Sequence, residues 1–292
     1  MLLTQQILNG LVLGATYSLI ALSLTLLIGV LGQLNMAAGE TLMFGGFVGL
    51  VLMTGVGAPF VVALLGAMAA GAGIAVLTYF LSFKFVKAAY PTAPVLSTVG
   101  VGILLSSTAS EIWSSESRGF PEAVPNKVFD LGFVEVTLPQ ILVFCIAVAT
   151  MVALQALIHR TSLGLALRAV SERPATSALL GIPVQRIVIA TFVISGCLVG
   201  AAGVLTGLTV HTISPYIGMD ATLKGLAIMV LGGLGNVTGA VAAGFLIGVL
   251  EVLSVAYVSA NFRNAFAFIV LIAVLTLRPQ GLFGTRTRET RV

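Results

Sequence analysis

Glu40 is the only formal charge in the first 83 residues of this chain, and Lys84 is the next. Burying a charge in a bilayer costs roughly 2.5–3.5 kcal/mol on insertion scales, so an ionisable residue in an apolar stretch is a candidate for handling a polar solute. Glu40, Glu111, Asp220 and Glu251 qualify. Glu40 lies in LNMAAGETLM, residues 34–43, and Asp220 in SPYIGMDATL, residues 214–223; each stretch holds a Met, an acid and then Thr-Leu. Two chemistries are open to these carboxylates. At the start of a helix the dipole favours them and they can cap free N–H groups. Alternatively, both polar breaks face one pathway, where half-helix N–H groups hold a substrate carboxylate and the acids meet its amino group. On the second reading Asn35, Glu40, Thr41, Pro215, Tyr216 and Asp220 form the pathway. Asp220 and Lys224 are four apart, which predicts a local ion pair. Glu251 interrupts an apolar span and is expected to face another helix, and Glu111 sits near a span's outer end.

Other chemistries find little support. No G-x-x-x-x-G-K-[ST] phosphate loop occurs, so the chain does not bind ATP through one. GGLGNVTG at 232–239 lies between apolar spans rather than after a strand, and reads as a tight turn between close-packed helices, not a dinucleotide loop. His159 and His211 are isolated, and no Ser, His and carboxylate suggest a triad. Cys145 and Cys197 lie in apolar segments and read as small buried hydrophobes. No catalytic residue, metal site or cofactor is expected in this chain.

The elements that position the acids are membrane helices. The chain is 58% hydrophobic and 8% charged, against about 25% charged in soluble domains, and its mean hydropathy is +1.13. Gly10 with Gly14, Gly45 with Gly49, Gly196 with Gly200, Gly203 with Gly207 and Gly244 with Gly248 have the spacing that puts two glycines on one helix face. Together they predict a tightly packed all-α bundle. MLLTQQILNG has no basic residue ahead of its apolar run, so it does not read as a cleaved signal peptide. Helices of about 20 residues cross a bilayer, which predicts eight to ten spans: near 5–29, 36–54, 59–83, 91–112, 137–159, 187–208, 222–235, 238–258 and 264–277, the seventh and ninth being short.

Basic residues set the orientation. Lys84, Lys87, Arg160, Arg168, Arg173, Arg186, Arg278, Arg286, Arg288 and Arg291 all fall inside if the N-terminus is outside. That distribution accounts for the net charge of +4 without a nucleic-acid partner. The connection 113–136 then lies outside, with Trp113 at its membrane edge, and the break at 34–43 lies near the inner side. The first and sixth spans run in opposite senses and each precedes a polar break, the mark of an inverted-topology repeat. One transmembrane domain over 1–292 is expected: a first repeat over 5–112, a linking helix over 137–159, a cytoplasmic loop over 160–186, a second repeat over 187–277 and a cytoplasmic tail over 278–292.

The loop TSLGLALRAVSERPATSALLGIPVQR, 161–186, predicts two short helices, with Pro174 opening the second and Gly181 ending it. Leu163, Leu167 and Val170 recur at helical spacing in the first; Ala175, Ala178, Leu179 and Ile182 form an apolar stripe on the second. Such a pair lies on the membrane surface or docks a cytosolic partner.

Over almost its whole length the chain resembles the LivH-type permease subunits of branched-chain amino acid ABC importers. The resemblance is carried by LNMAAGE at 34–40, GLALRAVSERPATSALLGIPVQR at 164–186, SPYIG at 214–218, LGGLGNVTGAVAAGFLIGVLE at 231–251 and RPQGLFG at 278–284. It implies that Arg168, Ala169, Ala178, Gly181 and Ile182 seat on an ATPase subunit. It also implies a second permease subunit (a copy or a relative), two cytosolic ATPases that hold ATP and Mg, a periplasmic solute-binding protein and a bacterial inner membrane. Importers of urea and short amides share this context. The family commonly has His where Ala38 stands, and a basic YRP-type segment where KFVKAAYPTAP follows the third span. A stand-alone secondary transporter or channel would have the same broken helices but no purpose for the loop.

Overall fold

A computed structural model describes residues 2–86, 92–122, 127–130, 134–259 and 263–284. Lys87, the middle of KFVKAAYPTAP, and Arg286, Arg288 and Arg291 lie outside the described residues. The first apolar run forms α1, Leu2–Leu31, whose 30 residues span about 45 Å. It stops where Gly32 takes φ 66. The chain then folds back into the bundle and starts α2, Ala38–Thr54. Gly57 at φ 67 turns it, and Pro59 caps α3, Phe60–Thr78, which continues as a π-helical turn over Tyr79–Lys84. α4 covers Ala93–Trp113 and α5 covers Leu138–Arg160. The segment after α5 forms α6, Ser162–Glu172, and α7, Pro174–Leu179. Then follow α8, Val184–Val210; α9, Ile217–Gly232; α10, Val237–Tyr257; and α11, Arg263–Leu277. Six of these helices, taking α3 with its π turn, are long and apolar enough to cross a membrane. The chain is an all-α, multi-pass membrane protein.

Two short strand pairs were not expected from the sequence. β1, Arg118–Gly119, pairs with β4, Thr212–Ile213, and β2, Val128–Asp130, pairs with β3, Glu135–Thr137, both antiparallel. The first pair puts the connection after α4 and the end of α8 at one end of the bundle. The seventh span also shifts: α9 begins at Ile217, not 222, and ends at Gly232. The Ser214 hydroxyl accepts from the Tyr216 N–H, 3.3 Å, and launches the helix early, while Gly233 at φ 104 ends it.

Every predicted glycine pair lies on a packed face. Gly10 and Gly14 of α1 meet the backbone of Gly244–Val249 on α10, and a Cβ at either would run into it. Gly45 of α2 meets Gly200 of α8, and Gly71 of α3 meets both Gly196 and Gly200. Gly203 abuts the backbone of α2, and Gly207 lies under the Phe120 ring. Backbone contact of this kind maximises dispersion where no hydrophobic force drives helices together. The packing pairs exchange in an orderly way: α1 lies on α10 as α8 lies on α3, and α2 touches α8 and α3 as α9 touches α1 and α10. α1 also touches α8, and α2 touches α9.

Neither cysteine is a buried hydrophobe as expected. Cys145 is exposed on α5 and Cys197 is half-buried on α8. In a membrane protein apolar residues point outward as readily as inward, so apolar sequence context does not report burial. Trp113 is turned inward, stacked on Phe47 with centroids 4.8 Å apart and edge-on to Phe44 at 5.5 Å.

Candidate functional site

The starts of α2 and α9 meet inside the bundle. The end of the first break reaches α4, where Met36 N–H donates to Thr98 Oγ1, 3.0 Å, and Ala37 lies beside Gly102. The Asn35 side chain accepts from the Ala37 N–H, 3.0 Å, forming the turn into α2. The Gly39 N–H then donates to Thr222 Oγ1 of α9, 2.9 Å. Thr222 in turn has the Gly218 carbonyl at 3.0 Å and the Met36 carbonyl at 3.3 Å as acceptors for its own proton. Hydroxyls from α4 and α9 thus satisfy N–H groups of the α2 start that helix geometry leaves free.

Glu40 does not cap. It lies in the first turn of α2, but no hydrogen bond to its carboxylate is present among the described residues. It is 8% exposed, and its buried Oε2 has no partner. The carboxylate rests against Gly218, where a Cβ would collide with it, and its Cγ faces Gly102 of α4. Gly39 likewise has no room for a Cβ against Gly218 and Thr222. Two glycines therefore let α2 and α9 approach and leave a pocket for one acid.

The other residues expected on the pathway divide. Asn35 and Thr41 are buried beside Glu40, with Thr41 Oγ1 donating to the Ala37 carbonyl, 3.0 Å. Pro215 is buried in the turn before α9. Tyr216 and Asp220 are exposed on the outward side of the α9 start, and the Tyr216 hydroxyl faces Ser110 and Ser115. Asp220 makes no capping bond.

The expected Asp220–Lys224 pair is absent. Lys224 turns inward and donates to Glu251 Oε1, 2.9 Å, and to the Tyr17 hydroxyl, 3.0 Å. The Tyr17 hydroxyl donates to the same oxygen, 3.0 Å, and Arg263 Nε reaches it too. Four helices, α1, α9, α10 and α11, converge on Glu251, which faces helices as expected. A buried carboxylate in low dielectric attracts Lys224 more strongly than an exposed one four residues away. Tyr17, Thr98, Thr222 and Arg263 were missed; the available signal was Glu251 itself, since a lone acid in an apolar span needs partners.

In the segment between α5 and α8, Thr161 Oγ1 accepts from the Gly164 N–H, 3.1 Å, and caps α6. Leu167, Val170 and Ile187 form a small core that Leu163 and Ile182 join. Arg168, Ala178 and Gly181 are exposed, and Ala169 and Ile182 are half-buried. Gly181 takes φ 83 and ends the turn after α7 as expected. The stripe on α7 points away from this chain: Ala175, Ala178 and Leu179 are exposed, and Ser177 is the residue turned inward.

Residues 6–275 match the family model described as branched-chain amino acid transport system / permease component. The chain belongs to this family. It is 33% identical to the high-affinity branched-chain amino acid transport system permease protein BraD of Pseudomonas aeruginosa, over 96% of this chain and 95% of the relative. The LivH protein of Escherichia coli matches at 33% over the same shares. An L-arabinose ABC transporter permease protein, AraH of Azospirillum brasilense, is 26% identical over 87% of this chain and 72% of its own. Among solved structures, PsaBC from Streptococcus pneumoniae in complex with Fab aligns with a TM-score of 0.52 at 12% identity, covering 93% of this chain and 91% of that one. That likeness concerns the fold of this permease-family member.

Proposed function

We propose that this chain is the membrane subunit of an ATP-driven importer for branched-chain or related amino acids. Its full-length similarity to the branched-chain amino acid permeases carries the reading. The protein lies in the bacterial inner membrane with its N-terminus periplasmic and its C-terminus cytoplasmic. It works with a second permease subunit, two cytosolic ATPases that hold ATP and Mg, and a periplasmic solute-binding protein. α6 and α7 seat on the ATPases through Arg168, Ala169, Ala178, Gly181 and Ile182; the outward apolar stripe of α7 supports this. α1–α4 and α8–α11 are two inverted repeats, and the exchange of packing pairs between them supports that division. Asn35, Glu40 and Thr41, buried around the start of α2, and Pro215, Tyr216 and Asp220, around the start of α9, lie on or beside the solute path.

The buried Ala38, 2% exposed at the start of α2, favours a second reading within the same class, with urea or a short amide as cargo. Vesicles holding the complete complex separate the two. ATP-dependent accumulation of radiolabelled leucine supports the main reading. Accumulation of urea or acetamide with no leucine uptake selects the second. Uptake by the chain alone, without ATPases or ATP, makes it a secondary transporter or channel.

A further inference from the structure

One face of α4 is unlike the other lipid-length helices. Thr98, Gly102, Ser106 and Ser110 recur at every fourth residue. Such a row is an inclined ridge, drifting by about 40° per step around an α-helix. Burial follows the drift: Thr98 and Gly102 are buried, and Ser106 and Ser110 are half-buried. Ser107 and Glu111, beside the upper part of the ridge, are exposed as well.

Both ends of the row meet residues already described. At its lower end Gly102 borders Glu40, whose buried Oε2 has no partner. At its upper end Ser110 and Ser115 face the hydroxyl of Tyr216, next to the exposed Asp220. The serines are not orphaned, because Ser106 donates to the Ile103 carbonyl, 3.1 Å, and Ser110 to the Ser106 carbonyl, 3.0 Å. With its proton used inside the helix, each hydroxyl still offers lone pairs as acceptors. The row with its flanking acids Glu40, Glu111 and Asp220 is therefore rich in acceptors and negative charge. Lipid tails match nothing on such a surface.

We propose that this ridge is the track along which the cargo's primary ammonium group passes between the Tyr216 end of α4 and Glu40. The proposal rests on the importer reading and adds the α4 residues Ser106, Ser107, Ser110 and Glu111 to the path. It assigns the chemistry recognised there: a cationic amine, with selection against anions.

The test uses the complete complex in vesicles, with Cys145 and Cys197 replaced by alanine and single cysteines introduced by S106C or S110C. L65C is the lipid-face control, since Leu65 is exposed beside the exposed Val61 and Val62. Both ridge cysteines are expected to react with a trimethylammonium methanethiosulfonate at least about tenfold faster than with its sulfonate analogue, a discrimination that nearby carboxylates can supply. L65C reacts with neither, and leucine under turnover slows the ridge reaction. S110W is expected to lower leucine uptake at least about tenfold at an unchanged membrane level, by closing the path. Ridge cysteines as inert as L65C, or blind to reagent charge, overturn the track even if the parent complex takes up leucine. Cation-selective labelling in a complex that never accumulates leucine keeps the track and removes the branched-chain amino acid reading.

Discussion

The Gly39 N–H of α2 donates to the Thr222 hydroxyl of α9, 2.9 Å away, although the residues are 183 apart in the chain. The start of one short helix is thus capped by the side chain of another. Replacing Thr222 by valine keeps the shape and removes the acceptor. Caps contribute about 0.5–2 kcal/mol, so T222V should lower the melting temperature of the purified protein, and T222S should restore most of it. Equal melting of all three would show that water or a neighbour replaces the cap.

Glu251 is 1% exposed and holds Lys224, Tyr17 and Arg263 through one oxygen. Removing one partner of a buried pair costs about 3–5 kcal/mol, whereas replacing both by apolar residues is often near neutral. K224M and E251L singly should each unfold the protein at markedly lower temperature. The double variant should recover much of that loss in the same thermal assay. Additive losses would mean that the pair is not coupled.

Glu40 forms no hydrogen bond among the described residues, so E40Q removes its charge without breaking a cap. We expect normal membrane level and melting, with a stability change within about 1 kcal/mol, and leucine uptake reduced several-fold. A variant that melts early but transports normally would make Glu40 a packing residue.

G218A tests the close approach of α2 and α9, because a Cβ there meets the Glu40 carboxylate. Overpacking of this kind costs about 1–3 kcal/mol. G73A on α3 is the matched control, since nothing lies within 4 Å of a Cβ at that position. G218A should lose both stability and uptake, and G73A neither.

Gly181 takes φ 83 at the surface, with open space around a would-be Cβ. G181V therefore strains only the turn, by about 1–2 kcal/mol. The variant should remain in the membrane, and ATP hydrolysis by the complex should no longer drive uptake. Coupled uptake at the parent rate would remove the α6–α7 segment from the ATPase contact.

Local physics was legible in the residues. Apolar length and Gly or Pro breaks placed every membrane helix but one to within a few residues, and Pro174 and Gly181 bounded α7 as their fixed and left-handed backbones require. Glycines four apart identified the packed faces, because a helix face is a property of spacing alone. The exception, α9, started early because a serine side-chain turn overrode its hydropathy.

Partner choice was not local. The i,i+4 rule offered Asp220 to Lys224, yet only the fold reveals that one acid is exposed and the other is buried among four helices, where charges attract more strongly. The same holds for Glu40, which its position in the first turn of α2 left open by sequence as either a cap or a pathway group. Thr222 already holds the neighbouring Gly39 N–H, and Gly218 makes room for the carboxylate beside it. Sequence determined which segments cross and where they break. Burial depends on what packs alongside, so only the tertiary structure decided which charges meet.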